Sequence, residues 1–228
     1  MNRNDPAAEK QPDKAKKQKK LLLIGVAVIL LLLLLVVILA SGGSGTEDTP
    51  AQTEPTEPAE INPVLTEPTL PESDNAREAR QRLETFFQAY TSCDGALAGE
   101  ILEGMGQPLA IEGIGKQMAQ QTIALVLWPV QEEEAAVCFR VCMEMVDMVK
   151  VMESVPEDVA SEADARAYLN RTFADEDLAK EVFYPEVWMR LVNGQWYVTM
   201  TTDLSNAMTG GLAEWAMQMD DVAMEEEG

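Results

Sequence analysis

The sequence contains no histidine. That removes the only side chain whose ordinary pKa lies near neutrality, and with it His general bases, Ser-His-Asp and Cys-His nucleophile arrangements and His-ligated metal sites. Cysteine is scarce and odd in number, three residues in 228, so full pairing within one chain is excluded. Cys138 and Cys142 lie four apart on what reads as one strand, about 13 Å by strand rise and beyond disulfide reach. The expectation is three reduced thiols behaving as small apolar residues. No GxxxxGK, no GxGxxG and no paired CxxC occurs, so phosphate-cradling and metal-knuckle motifs are missing as well. No cofactor, metal ligand or catalytic residue is assigned. Positive charge is short too: 17 Lys/Arg stand against 39 Asp/Glu. Residues 1–20 hold seven of those bases and three of the acids, leaving ten against 36 in the remainder. Such an excess repels nucleic acid and anionic polymers and favours cations or basic partners; no nucleic-acid partner is expected.

What the sequence does have is one long apolar run. Leu21 to Ala40, LLLIGVAVILLLLLLVVILA, carries no charge and follows KKQKK. At about 1.5 Å per residue it covers roughly 30 Å, the hydrocarbon thickness of a bilayer, and it reads as a transmembrane helix over 21–40 with the lipid bilayer as its partner. Ala40-Ser41-Gly42 has the small residues of a cleavage site, but twenty apolar residues exceed the roughly seven to fifteen of a signal-peptide core, so the span reads as retained. Five lysines, Lys14, Lys16, Lys17, Lys19 and Lys20, cluster directly before it, and no Lys or Arg follows until Arg77. The positive-inside rule then makes 1–20 a basic cytoplasmic tail and puts the rest outside the cell membrane. Residues 41–73 have no base and no aromatic, and they carry three Thr-Glu-Pro triplets. They read as a disordered stalk that reaches on the order of 100 Å in polyproline geometry. Residues 74–210 form one α+β domain, and 211–228 an amphipathic C-terminal helix with an acidic tail.

Within the domain the apolar period decides the elements. Ser73 caps a helix over Asp74–Thr91, with Ala76, Ala79, Leu83, Phe86, Phe87 and Tyr90 on one stripe. A second helix starts after Asp94 and stops at Gly104-Met105-Gly106, and a third runs over Ile111–Gln120. The period then drops to two. Thr122–Val130, a polar turn at Gln131–Glu134 and Ala136–Val146 form a hairpin, with Val137, Phe139, Val141, Met143 and Met145 facing the core and Cys138, Arg140, Cys142 and Glu144 opposite. That second face is half-exposed or lines a shallow pocket, where Arg140 and Glu144 pair with each other or with neighbours. Asp147 caps a short helix, Ser161 caps another through Phe173, and a third is expected over Glu176–Phe183. Last, Val187–Val192, Asn193-Gly194 and Gln195–Thr201 form a hairpin whose type I′ turn fixes the register. Val192 then faces Gln195, Leu191 Trp196, Met189 Val198 and Val187 Met200. The other face carries Trp188, Arg190, Tyr197 and Thr199, with Arg190 expected over the Tyr197 ring. It either lines a ligand cleft or is an outer face covered by a helix.

This order of elements, carried by Ala136–Asp147 and by Asn-Gly-Gln-Trp-Tyr-Val at 193–198, resembles the extracellular domains of the nuclear-transport-factor-2-like superfamily in membrane proteins of Gram-positive bacteria. The resemblance spans about Asp74 to Met208, and it departs at the Gln131–Glu134 turn and in the long segment between the hairpins. It implies a cone-like, curved antiparallel sheet packed on helices, and little about activity, because that scaffold hosts isomerases, dehydratases, binding modules and assembly subunits. Its enzymes use Asp/His or Asp/Tyr constellations inside the cone; here only Asp147 or Glu144 near Tyr197 remains for proton transfer. Candidate pocket-lining residues are Arg140, Glu144, Asp147, Trp188, Arg190 and Tyr197. The leading expectation is a single-pass, surface-displayed, non-catalytic module that binds a protein or wall ligand. One alternative is an assembly subunit of a secretion- or conjugation-type envelope complex, acting as a homo-oligomer; the other is a small-molecule enzyme of the same superfamily.

Overall fold

The structure is a computed structural model that describes residues 72–225 apart from 157 and 160, with side chains described to 218. The tail, the 21–40 span and almost all of the 41–73 stalk lie outside the described residues. Among the described residues no helix is long and apolar enough to cross a membrane.

The chain begins with three helices, α1 (Asp74–Thr91), α2 (Gly95–Ile101) and α3 (Gly113–Gln120). Their starts follow local chemistry: the Ser73 hydroxyl accepts the Ala76 N–H at 3.0 Å and the Asp94 carboxylate accepts Leu97 N–H at 3.1 Å, satisfying donors that an isolated helix leaves bare. The expected α1 stripe is the buried one, with Ala76, Ala79, Leu83 and Phe86 fully enclosed.

Two long strands follow, β1 (Ile123–Glu133) and β2 (Ala136–Val146). The strand β1 runs through Gln131–Glu133, so the expected four-residue turn shrinks to Glu134-Ala135. The register slips by one residue between Val126 and Trp128 and again between Pro129 and Gln131. Each slip is a β-bulge that bends β1, and Pro129 fits there because this is an edge strand that can spare an N–H. The predicted core face of β2 is confirmed: Val137, Phe139, Val141, Met143 and Met145 are fully buried.

After β2 come α4 (Met148–Glu153) and α5 (Glu162–Phe173), capped by Asp147 and Ser161 as expected. The helix expected over Glu176–Phe183 does not form. Lys180–Phe183 is instead strand β3, antiparallel to Met143–Val146 of β2. Strand β4 (Glu186–Val192) pairs with Ala136–Arg140 of β2 in the same register, so β3 and β4 are two halves of one strand broken at Tyr184-Pro185. Pro185 has no N–H for the ladder, but its carbonyl still accepts Val141 N–H at 3.1 Å. Without β3, one edge of the outer half of β2 would be left unpaired.

Strand β5 (Gln195–Thr199) completes an open antiparallel sheet of order β1-β2-β4-β5. Asn193 and Gly194 take φ of 51° and 80°, the positive values that a type I′ turn demands. The register is as read from Val192↔Gln195 to Met189↔Val198. Met200, however, lies beyond the ladder and is 36% exposed, not a core partner of Val187. The chain ends in α6 (Thr202–Met208) and α7 (Leu212–Glu225). One core joins α1, the inner sheet face and α6 through Phe86, Phe139, Met189, Val198 and Leu204.

Candidate functional site

The sheet has an outer face, away from α1, and period-two alternation decides what stands on it. From β2 come Cys138, Arg140, Cys142 and Glu144; opposite them the registers place Trp128, Leu125 and Ile123 of β1, Val182 of β3, and Glu186, Trp188 and Arg190 of β4. Tyr197 and Thr199 of β5 face Arg190 and Trp188 in turn. Five of the six predicted site residues, Arg140, Glu144, Trp188, Arg190 and Tyr197, therefore share one surface.

Their charges are answered locally. Arg140 forms an ion pair with Glu186 and donates to the Tyr184 carbonyl at 3.1 Å. Glu144 pairs with Lys180 at 3.0 Å. Thus Arg140 and Glu144 bind neighbours, one of the two arrangements left open, and not each other. Arg190 is drawn away from the Tyr197 ring by Glu103, at 3.3 Å, and the other Glu103 oxygen accepts from Thr199 at 2.8 Å. The expected Arg190–Tyr197 cation–π pair is absent among the described residues; Tyr197 donates its hydroxyl to Gln195 instead. A cation–π contact does occur in the core, where the Arg80 guanidinium sits 5.3 Å from the Phe139 ring centre.

Asp147, the sixth candidate, stands apart. It is 3% exposed and caps α4, accepting Lys150 N–H at 2.9 Å and pairing with Lys150 Nζ at 2.8 Å. That hydrogen bond, then the Asp147 charge, raises the Lys150 pKa above its ordinary range. Cys138 is enclosed; burial first, then Glu186, pushes its thiol up to about 11, with Arg140 pulling the other way. A thiol held protonated at neutral pH is a packing group and a poor nucleophile. Among the described residues no cluster of three or more His, Cys, Asp or Glu is placed to hold a metal ion.

With its ionic groups paired, the outer face offers contact surface. Ile123, Leu125 and Val182 are 59%, 60% and 46% exposed; Ile123 and Val182 stand on either side of Glu144 and Leu125 beside Cys142, with half-buried Trp128 and Trp188 further along the same face. Sequence reading missed these exposed aliphatic residues because β1 looked uniformly apolar; the alternation Ile123, Leu125 against buried Val126 was the available signal. It also missed Glu103 and Glu186, which come to the face from a helix end and a strand start. Comparison with protein-family models, curated proteins and solved structures finds no match to this chain.

Proposed function

We propose that this is a membrane-anchored, surface-displayed binding module: a cytoplasmic basic tail, a span over 21–40, a Pro/Thr/Glu stalk, and an extracellular domain that recognises a partner through the outer face of its sheet. The observation that carries the reading is the exposure of Ile123, Leu125 and Val182, each about half or more, on the same sheet face as half-buried Trp128 and Trp188. Exposed apolar groups gathered on one face, interspersed with paired charges, mark interaction surfaces more often than isolated ones do. The basic cluster and apolar run support the anchor. An antiparallel sheet packed on an N-terminal helix, with the two hairpins in the required places, supports the cone-like nuclear-transport-factor-2-like architecture. In the candidate set, Asp147 caps a helix and Arg140 and Glu144 hold ion pairs, which favours recognition over proton transfer.

A photo-crosslinking residue placed at Leu125 or Trp188, and at exposed Glu112 on another part of the domain, tests this on intact cells. The reading expects one discrete adduct from the first two positions and none from the third. No adduct, or the same adducts from all three, contradicts it.

A further inference from the structure

A second feature lies between α1 and β5. An open groove of about 360 Å³ is lined by Glu78, Gln81, Arg82 and Thr85 of α1 and by Gln195 and Trp196 of β5. Steps of three and four put those α1 residues on one flank of the helix, and β5 ends the sheet.

Trp196 is unfinished in two ways. It is 5% exposed, yet its indole N–H has no acceptor among the described residues. A buried donor without a partner is rare enough in folded proteins to need an explanation. Its main chain lacks a ladder partner as well. In a two-residue hairpin the closing pair, Val192 and Gln195, exchanges both ladder bonds, so the next residue turns its N–H and C=O away from the partner strand. On that free side Leu102 bridges only Val198, with Glu103 N–H donating to the Val198 carbonyl at 2.9 Å. Trp196, one of the residues lining the groove, thus carries a buried, unmatched indole donor and a strand edge without a ladder partner.

Charge selects the occupant. Arg82 is answered by Glu100 at 2.9 Å, while Glu78 has no ionic or hydrogen-bond partner among the described residues. The chain carries a formal charge of -22, and such a field draws positive segments in.

We infer that this groove takes an extended basic peptide segment of a partner protein. The segment adds its main chain to β5 at Trp196, gives one carbonyl to the indole N–H, and sets a Lys or Arg side chain against Glu78. The inference stands apart from the outer sheet face and holds or fails without it.

The test titrates the full-length chain, in lipid nanodiscs, with a fluorescent decapeptide alternating Lys and Thr. An alternating Glu and Thr peptide and a Lys-Thr peptide N-methylated at alternate residues serve as comparisons. Anisotropy reports affinity; the indole ¹H–¹⁵N signal of Trp196, assigned by its loss in Trp196→Phe, reports the donor. The Lys-Thr peptide is expected to bind and to shift that signal. Affinity should fall about tenfold with N-methylation, with Trp196→Phe and with Glu78→Gln, the cost of one good hydrogen bond or close ion pair in each case. Glu78 lies on an exposed helix flank, so Glu78→Gln remains informative even where Trp196→Phe unfolds. No binding, equal binding of the acidic peptide, an unmoved Trp196 signal, or indifference to both N-methylation and Glu78→Gln overturns the inference.

Discussion

Replacing Arg80 should destabilise the domain far more than a partly exposed helix position normally does. Its Nη1 and Nη2 donate to the Val126 and Leu127 carbonyls at 2.8 and 3.0 Å, where β1 makes its first bulge. Its Nε reaches Glu72 at 2.8 Å, and the guanidinium lies over Phe139. The side chain is 20% exposed, so these contacts are only partly screened. Hydrogen bonds from a charged donor contribute about 1.5–3 kcal/mol each; at an edge strand, where water can replace the arginine, the lower end applies. Adding about 0.5–1 kcal/mol for the ring contact to the two carbonyl bonds gives about 3.5–4 kcal/mol for Arg80→Ala. Arg80→Lys keeps the charge but loses the planar fork that serves two carbonyls at once, and should cost about 1.5–2 kcal/mol, about half of the alanine effect. Urea unfolding followed by tryptophan fluorescence measures both, with Trp128 beside the bulge as reporter. A loss below about 1 kcal/mol for Arg80→Ala, or a lysine as good as arginine, would show that β1 holds its own bulge and that the clamp is incidental.

Gly99→Ala should cost about 2 kcal/mol or more, because a Cβ there would meet the Gln107 carbonyl oxygen at 2.2 Å and Leu109 N at 2.8 Å, backbone atoms that cannot swing aside; thermal unfolding reads this, and an unchanged Tm would mean that the 107–109 segment does not press on α2. Glu181 has its pKa raised, first by burial and then by Asp147, with Glu214 adding to it and Lys150 opposing. A raised carboxyl favours the folded state only while protonated, so its contribution is present below the ordinary 4.5 and is lost as pH rises through the folded value. Glu181→Gln should therefore raise Tm at pH 7, with the gain shrinking as pH falls below 4.5; a gain that does not depend on pH would point to a packing effect.

Where the controlling chemistry was local, the sequence was readable. Ser73, Asp94, Asp147 and Ser161 each cap the helix they precede, and Asn193-Gly194 sets the β4–β5 register residue by residue. The period of two on β2 put Arg140 and Glu144 on one face correctly. What failed depends on distant partners. The helix-forming residues of Glu176–Lys180 carry no sign that β2 has an edge to fill, so β3 was misread. The bulge after Val126 is held by Arg80, 46 residues earlier. Glu103 captures Arg190 from 87 residues away and cancels a ring contact that adjacency alone favoured. Asp147 was read both as a cap and as a site acid; its burial and its bonds to Lys150 leave it the first role.

The central claim, a domain displayed outside the cell on a stalk, is tested most directly by treating intact cells with a protease that cuts after glutamate. The stalk glutamates Glu54, Glu57 and Glu67 precede proline and resist cleavage, whereas Glu47, Glu60 and Glu72 precede Asp48, Ile61 and Ser73. The account predicts release of acidic fragments beginning at Asp48, Ile61 or Ser73, seen by mass spectrometry without cell lysis. A stalk that is cut only after the cells are broken open would place the domain inside and contradict it.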